Sequence, residues 1–371
     1  MSGKSYFSVS YDLIPKDSKV SYDLYVNSSS VEKKQKFIKV FQKENFLSKK
    51  DLEEFKEKYL QLYVDEDQRS LYMDSFVISE EINDIEKSNF IKDSTIKYLH
   101  KIFDDSKEFN TEILSETIDE CRGAVESMVD VLADYDLNSM TGLIGNLSSH
   151  DFYTFDHSIN VSMYCITILR TLKPNASRDE LVHVGLGGLL HDLGKVKIPT
   201  NILNSPQGLS EEEYNEIKKH PGYGIDLLTS GEVQVADDLD LGILSRVVHE
   251  HHENWDGNGY PRKIEGKDIH LYARICTIAD FFDAITTKRS YSDVLPISKA
   301  LSVMDKFSGI KLDPKIFKAF AAHIEHNKIS TKDDLKLSDG FDPTLPYEKL
   351  PLEEVQELFE EEDFGKIKIK N

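Results

Sequence analysis

The sequence predicts a mainly α protein, in which an all-α helical bundle follows a small N-terminal α/β (or α+β) domain. The 371 residues are 39% hydrophobic and 30% charged, which is typical of a globular chain with an apolar core. Strand-like alternation is confined to the beginning of the chain, at "KVSYDLYVN" and "SLYMDSFV". From residue 150 onward, amphipathic helical segments alternate with Gly and Pro turns.

The part of the chain before the bundle divides into two segments. Residues 1–78 combine the alternating stretches with helical patterns at "EKKQKFIKVFQ" and "LSKKDLEEFKEKYLQLYV". They contain no cluster of catalytic residue types, so we interpret them as a regulatory domain. Residues 79–149 are polar and helical in pattern, with apolar spacing in "IDECRGAVESMVDVLADY". They predict a helical linker that is also a candidate homodimerisation surface.

The predicted bundle covers residues 150–328. Ser177 is placed to cap one of its helices, and Glu180 follows three residues later, which is capping-box spacing. The helical patterns are "HSINVSMYCITILRTL", "RDELVHVGLGGLLHDLGK", "SEEEYNEIKKH", "DDLDLGILSRVVHEHHE", "LYARICTIADFFDAITTK", "PISKALSVMDKF" and "DPKIFKAFAAHIEH". Residues 329–371 combine a Pro-punctuated linker with an acidic helix, and we expect a solvated tail.

Composition excludes several classes of partner. The formal net charge of −21 repels polyanions, so we expect no nucleic acid polymer as a partner. An anionic small substrate would need local cations that reverse this field. No apolar run approaches the ~18 residues of a membrane span, and the N-terminus has no signal-peptide core, so we predict no membrane insertion and a cytoplasmic location. Three cysteines without metal-finger spacing predict buried thiols.

Histidines concentrate in the predicted bundle. Nine of the 12 lie between His150 and His270, and the first 99 residues contain none. His191 and Asp192 adjoin at the end of an apolar helix, where they can contact one metal ion from two directions. Alone, such a pair is mostly a surface coincidence. His220 ends "EIKKH" before Pro221, which predicts a helix C-terminus, and there it could instead pair with the last carbonyls.

Two further segments contain candidate ligands. His251 and His252 are consecutive, so each can face a different ion of a pair, whereas His249 is expected beside the site or exposed. Asp280 lies within the apolar run "ICTIADFFDAI", where a buried carboxylate requires a cation. Asp283, one turn later, is the competing candidate. We expect it to support a ligand from behind, with an ordinary helix-surface role as the alternative.

Five motifs occur in a fixed order: "YTFDHS" (153–158), "HDLGK" (191–195), "KKHPGYG" (218–224), "HHENWDGNGYP" (251–261) and "IADFFDAITTKRSY" (278–291). In this order they resemble the HD-GYP family, the cyclic-di-GMP phosphodiesterase branch of the HD-domain metal phosphohydrolases. The resemblance covers residues 150–328 and implies an HD-type helical bundle as the catalytic domain.

The resemblance also implies roles for individual residues. The implied metal ligands are His157, His191, Asp192, His220, His251, His252 and Asp280. Five imidazoles and two carboxylates suit two divalent transition metal ions that share Asp192, with iron foremost and manganese as the alternative. Asp192 and Lys195 are the implied catalytic residues. Lys195, Tyr260 and Arg289 are implied to contact substrate.

Two positions depart from the family pattern. Many members have a glutamate four residues before the first ligand histidine, and it helps to hold a third metal. Here Tyr153 stands in that position, so we predict two ions rather than three. Ser292 follows Arg289 by three residues, where members commonly have a basic residue that faces phosphate. Its loss is expected to weaken the binding of substrate.

The function implied is hydrolysis of the 3′–5′ phosphodiester of cyclic-di-GMP in bacterial second-messenger signalling, by a hydroxide activated between two metals. The product would be pGpG, or GMP after a second cut. One alternative is a weakly active or inactive domain that acts as a receptor for cyclic-di-GMP or a partner protein. Another is a phosphodiesterase for a different cyclic dinucleotide. Signalling proteins such as diguanylate cyclase domains are candidate partners.

Overall fold

The computed structural model describes residues 5–29, 36–77, 79, 82–103, 110–135, 139–140, 153–203, 209–231, 233–287 and 295–324. The chain divides into two compact units. The first comprises Met1–Asp134 with Leu143–Leu147, and the second comprises Tyr135–Gly142 with Ser148–Asn371. None of the described helices combines the length and apolar character needed to cross a membrane.

Two small antiparallel sheets form the strand region of the first unit. The strands are β1 Tyr6–Val9, β2 Ser18–Lys19, β3 Leu24–Asn27, β4 Phe37–Phe41, β5 Phe46–Leu47 and β6 Leu62–Asp65. One sheet has the order β1-β6-β3-β4 and the other pairs β2 with β5. Every pair is antiparallel, for example Phe7 opposite Val64, so the described strands match the α+β alternative.

Two of the predicted elements in this unit are wrong. The helix predicted at "EKKQKFIKVFQ" is strand β4 in its described part, because Phe-Ile-Lys-Val-Phe favours a pleated strand and the Phe37 ring stacks on Tyr6 at 4.1 Å. The strand predicted at "SLYMDSFV" is helix α2, Arg69–Val77. Its Tyr72 and Met73 are both fully buried, and burial of adjacent residues overrides the alternation in the sequence.

Three more helices complete the described first unit: α1 Lys49–Lys58, α3 Asp84–Phe103 and α4 Thr111–Val131. Asn110 caps α4, because its side chain accepts a hydrogen bond from the Ile113 amide at 2.8 Å. Lys101 of α3 pairs with Glu120 of α4 at 2.6 Å. Both helices lie in the first unit, and the linker and homodimerisation roles of residues 79–149 stay predictions.

The described second unit consists of helices and turns. Its helices are α5 Tyr153–Leu172, α6 Arg178–Leu190, α7 Thr200–Leu203, α8 Glu211–Ile217, α9 His220–Leu228, α10 Leu241–Glu250, α11 Leu271–Thr286, α12 Ile297–Lys306 and α13 Pro314–Ile324. The capping box of Ser177 and Glu180 is present at the start of α6. The mainly α fold class is confirmed.

Helices α5, α6 and α11 pack together at the centre of this unit. The Ser162 hydroxyl of α5 donates to the Gly185 carbonyl of α6 at 2.8 Å. On α11, Ile275, Ala279 and Phe282 are fully buried and surround the position of Asp280 with apolar groups. The three cysteines are buried free thiols, as predicted. This packing brings the C-terminal end of α6 to one turn of α5 and of α11.

Candidate metal centre

One side of the centre is built where α5 meets α11. The His157 Nε2 atom lies 3.0 Å from Asp280 Oδ1, and His157 Nδ1 donates to Asp283 Oδ2 at 2.7 Å. The two aspartates are three residues apart on α11, so they share one face of the helix. All three side chains are buried. A carboxylate behind a ring nitrogen fixes both the tautomer and the direction of the other nitrogen, as in many metal-ligating histidines.

Asp283 is in turn fixed by its own hydrogen bonds. Its Oδ1 accepts from Asn160 Nδ2 at 2.9 Å and from the Thr287 hydroxyl at 2.7 Å. Asp283 is fully buried, and these bonds with that from His157 compensate for the loss of water. Sequence reasoning missed Asn160 and Thr287. Their spacing offered a signal, because Asn160 follows His157 by three residues and Thr287 follows Asp283 by four.

On the opposite side, three histidines are held in a different way. The Nδ1 atom of His191 donates to Gly188 O at 2.7 Å. His220 makes the same contact with Ile217 O at 2.8 Å, and His251 with Val248 O at 2.9 Å. In each case the acceptor is the carbonyl three residues earlier, within the last turn of a helix that has just ended. Such carbonyls lack helical partners, so the histidine satisfies one and directs Nε2 inward.

We name these two sides by what holds their imidazoles. The carboxylate-braced side comprises His157, Asp280 and Asp283. The carbonyl-braced side comprises His191, His220 and His251.

Asp192 lies between the histidines that follow α6 and α8. Its Oδ2 is 3.3 Å from His191 Nε2, and its Oδ1 is 3.3 Å from His220 Nε2. The Lys195 ammonium donates to Oδ2 at 2.5 Å. One carboxylate thus presents a different oxygen to each of two imidazoles.

His220 shows that part of the sequence prediction was wrong. It does not end a helix, because it is the first residue of α9, with Pro221 in the first turn where proline is tolerated. The expected contact with a terminal carbonyl of the preceding helix nevertheless exists through Nδ1. A Cβ on Gly194 would lie 1.9 Å from the His220 carbonyl oxygen and 2.5 Å from the Gly224 amide nitrogen. Only glycine allows the turn after Asp192 to approach α9 this closely.

His251 and His252 follow α10. The Nε2 atoms of His220 and His251 are 3.1 Å apart, although the Nδ1 atom of each already donates to a carbonyl. With its proton on Nδ1, each neutral ring has a lone pair on Nε2, so the two lone pairs face each other and repel. A cation bound by both Nε2 atoms would remove this repulsion. His252 stacks on Tyr260, with ring centroids 4.7 Å apart and planes at 21°. His249 belongs to neither potential metal group among the described residues.

The described side chains form two groups that can hold a metal ion. One is His157, His191 and Asp192, and the other is Asp192, His220, His251 and His252. Within each group, one donor atom per residue lies within 4.8 Å of the others. Asp192 belongs to both groups. Asp280 is outside them, and its buried Oδ1 lies 3.0 Å from His157 Nε2. A buried carboxylate needs a positive partner, which is either the protonated His157 ring or a bound cation.

The protonation states of the carboxylates and of most imidazoles suit metal binding. Burial raises the pKa of Asp192, but His191 and Lys195 outweigh it and hold that pKa well below its usual range. Burial also raises the pKa of Asp280, while the contact with His157 and the charge of His191 lower it to about 2. Both carboxylates are therefore ionised at neutral pH, the form that binds a metal.

The imidazoles differ between the two sides. Burial lowers the pKa of His220 to about 4, against the opposing charge of Asp192, and lowers the pKa values of His251 and His252 well below the usual range. Burial likewise lowers the pKa of His157, but Asp280 and Asp283 outweigh it and raise that pKa to about 9. The carboxylate-braced imidazole is therefore a cation in the metal-free protein.

The loop after His252 is held by a buried glutamate that sequence reasoning missed. Glu253 accepts hydrogen bonds from the amides of Arg262 at 2.6 Å, Lys263 at 3.1 Å and Ile264 at 3.2 Å. These contacts fix the segment directly after Tyr260. The loop also contains a turn at Asp256 and Gly257, where Gly257 has a φ of +81°. A glutamate directly after two candidate ligands was the available signal.

Some of the predicted residues cannot be placed. Arg289 and Ser292 lie outside the described residues, as does the side chain of Tyr153. The predicted tail, residues 329–371, also lies outside them. The absence of a third metal and the loss of a basic phosphate contact therefore stay predictions.

A family model described as HD domain matches residues 141–316. The cyclic di-GMP phosphodiesterase PA4108 of Pseudomonas aeruginosa is 35% identical over 188 residues, which is 49% of this chain and 42% of the relative. The 3′3′-cGAMP-specific phosphodiesterase 3 of Vibrio cholerae is 35% identical over 167 residues, which is 45% of this chain and 34% of the relative. The chain thus spans less than half the length of either relative.

The structure of Bd1817, an HDG"Y"P protein from Bdellovibrio bacteriovorus, resembles this fold with a TM-score of 0.50 and 17% identity. The match covers 86% of this chain and 99% of that chain, and at this identity it shows a shared fold alone. The family match, the named relatives and the shared fold agree with the five ordered motifs. This chain contains an HD domain, and its ordered motifs resemble those of the HD-GYP family.

Proposed function

We propose that this protein is a metal-dependent phosphodiesterase that hydrolyses cyclic-di-GMP. The observation that carries the proposal is the position of Asp192. Its two oxygens face different histidines, and it is shared by both groups of potential ligands. A carboxylate shared between two metal ions is a recurring feature of hydrolytic centres that cleave phosphate esters. The relatives named as cyclic di-GMP phosphodiesterases support the choice of substrate.

We propose two divalent transition metal ions as the cofactor, with iron foremost and manganese as the alternative. The proposed ligands are His157, His191, Asp192, His220, His251, His252 and Asp280. Five nitrogen donors and two carboxylates suit a borderline transition metal better than Mg²⁺ or Ca²⁺, which prefer oxygen. Bound there, the ions would supply Lewis acidity and a nucleophilic water of lowered pKa.

The chain's own side chains would bind and orient the phosphodiester. Lys195 contacts Asp192 Oδ2 and is partly exposed, so its ammonium can also contact a phosphate oxygen at the centre. Tyr260 stacks on His252, so its ring would lie beside a substrate bound at the centre. We propose Arg289 as a second phosphate contact on the strength of the motif. The 3′ oxygen would leave and the product would be pGpG, with GMP formed only by a second cut.

The proposal is tested with an Asp192→Ala variant of the full chain, purified without oxygen and loaded with iron or manganese. We expect turnover of cyclic-di-GMP by the unmodified protein, and loss of both turnover and bound metal in the variant. The control is Asp226→Ala, which removes an exposed carboxylate from α9 and should change neither quantity. Unchanged turnover in Asp192→Ala would contradict the proposed mechanism.

A second candidate differs only in substrate. Relatives of similar identity are named 3′3′-cGAMP-specific phosphodiesterases, so hydrolysis of another cyclic dinucleotide is the main rival. Comparing kcat/KM for cyclic-di-GMP, 3′3′-cGAMP and cyclic-di-AMP on one preparation distinguishes the two. Tight binding of cyclic-di-GMP without product would instead favour the receptor alternative. Diguanylate cyclase partners, homodimerisation and a cytoplasmic location stay predictions.

A further inference from the structure

A lysine lies at the rim of the metal centre between two tyrosine rings. The Lys218 ammonium is 4.8 Å from the centroid of the Tyr214 ring and 5.1 Å from that of Tyr260. Tyr214 and Lys218 are four residues apart, at the end of α8, so they share one side of that helix. Tyr260 comes from the loop after His252. The two rings attract the ammonium and fix it at the junction of α8 with this loop.

This ammonium is close to the centre. The Tyr260 ring stacks on His252 with centroids 4.7 Å apart, and the Lys218 ammonium is 5.1 Å from the same Tyr260 centroid. These two distances place the ammonium no farther than about 10 Å from the His252 ring. Lys218 and the candidate ligand His252 therefore both contact the ring of Tyr260.

No carboxylate of the described residues neutralises the charge of Lys218. Among the described residues it takes part in no ion pair, whereas the next residue, Lys219, pairs with Glu216 at 2.5 Å. Aromatic faces attract a cation but carry no net charge, so the field of Lys218 remains available to an anion. In a chain with a net charge of −21, a fixed local cation is what an anionic substrate needs at its binding site.

We infer that Lys218 binds the phosphodiester of a cyclic dinucleotide that is not being cleaved. This inference rests on the proposed function. A cyclic dinucleotide contains two phosphodiesters separated by one ribose on either side, so when one lies at the metal centre the other must lie near its rim. Lys218 is a cation at that rim, in contact with the same Tyr260 ring that stacks on His252. Lys218 is thus a binding residue for the intact cyclic substrate.

The test compares Lys218→Met with Lys219→Met in the full, metal-loaded protein. Both variants remove one positive charge from adjacent positions, but only Lys218 contacts the Tyr260 ring. Each is assayed with cyclic-di-GMP and with bis(p-nitrophenyl) phosphate, which contains a single phosphodiester. We expect Lys218→Met to raise KM for cyclic-di-GMP by about tenfold with little change in kcat, because a contact to the uncleaved phosphate contributes uniform binding.

Comparing the variants on both substrates shows whether Lys218 contacts the uncleaved phosphodiester. We expect Lys218→Met to leave hydrolysis of bis(p-nitrophenyl) phosphate unchanged, Lys219→Met to leave both substrates unchanged, and Lys218→Arg to retain most of the affinity. Equal KM values for the two Met variants on cyclic-di-GMP would overturn the inference. An equal loss on both substrates would also overturn it, because Lys218 would then act on the metal centre itself.

The inference can be tested separately from the proposed phosphodiesterase activity. If the unmodified protein cleaves no cyclic-di-GMP, equilibrium dialysis with this nucleotide replaces the kinetic assay. A Kd about tenfold higher in Lys218→Met than in Lys219→Met would then support the inference for a receptor. Absence of binding by the unmodified protein would overturn the inference together with the proposed function.

Discussion

The two sides of the metal centre hold their imidazoles by different chemistry, and the difference determines their charge. On the carboxylate-braced side, Asp280 and Asp283 raise the pKa of His157 to about 9 against the effect of burial. On the carbonyl-braced side, burial dominates and the pKa of His220 is lowered to about 4. A backbone carbonyl orients a ring without adding a full negative charge, whereas a carboxylate does both.

The two sides therefore differ in how readily their histidines bind a metal ion and in how strongly they hold it. On the carbonyl-braced side, burial keeps His220 and His251 neutral at pH 7, so their Nε2 atoms are ready to bind a cation. His157 must first lose a proton, and an incoming metal would displace it. In return, the negative charge of Asp283 increases the basicity of His157 and strengthens its bond to a metal once formed. The two sides should therefore respond differently to substitution and to pH.

The largest effect is expected from Gly194→Ala, which acts on the carbonyl-braced side. The added Cβ would overlap the His220 carbonyl oxygen at 1.9 Å, and backbone atoms on both sides would have to move. We expect the free energy of unfolding to fall by about 3 kcal/mol or more, with loss of bound metal. Urea denaturation and elemental analysis measure the two quantities.

The control for this substitution is Gly222→Ala, on helix α9, which Gly194 approaches. A Cβ on Gly222 would meet no atom within 4 Å, so this variant should stay within about 1 kcal/mol of the unmodified protein. Similar losses in both variants would show that the close approach at Gly194 is unimportant.

A smaller effect is expected from Asp283→Asn on the carboxylate-braced side. The amide keeps one acceptor for His157 but places an NH₂ group against Asn160 or Thr287, and it removes the charge behind the ring. We expect metal affinity to fall by about 10-fold to 100-fold, which is typical when the group behind a ligating histidine is removed. Competition with a metal chelator measures this affinity, and Asp226→Asn, an exposed site on α9, is the control.

Local patterns predicted much of the second unit. Seven of the nine described helices of residues 153–324 were predicted from amphipathic periodicity, whereas α7 and α9 were not. The capping box at Ser177 follows from spacing alone. The ordered motifs carried the family resemblance, which implied all six residues of the two potential metal groups as ligands. Their grouping around Asp192 was implied by the resemblance and not by any local pattern.

Features that depend on distant contacts were not predictable from local patterns. The hydrogen bond from His157 to Asp283 joins residues 126 positions apart. The need for glycine at position 194 depends on how closely α9 approaches, and the role of Lys218 depends on a tyrosine from another loop. In the first unit, strand β4 and helix α2 were mistaken because tertiary packing overrides short-range propensity in segments of this length.

The third prediction concerns the pH dependence of the chelator-treated protein, to which the two sides contribute with opposite signs. The pKa of His220 is about 4 in the folded state against an ordinary value of 6.5, so the unfolded chain binds more protons between these values. The free energy of unfolding should therefore rise with pH across that window. His251 and His252, whose pKa values are also lowered by burial, contribute with the same sign.

His157 acts in the opposite direction at higher pH. Its folded pKa of about 9 exceeds the ordinary 6.5, so the folded state holds the extra proton between these values. The stabilisation is complete below pH 6.5 and is lost as pH rises through 9, with a slope of at most about 1.4 kcal/mol per pH unit for one proton. Stability of the metal-free protein should therefore be greatest near pH 6.5.

Urea denaturation between pH 4 and 9.5 measures both limbs of this profile. We expect His157→Gln to flatten the alkaline limb and leave the acid limb, because the variant removes the group that titrates there. His220→Gln should instead reduce the slope of the acid limb, with His251 and His252 maintaining the remainder. If His157→Gln left the alkaline limb unchanged, the carboxylate-braced imidazole would not be the cation that distinguishes the two sides.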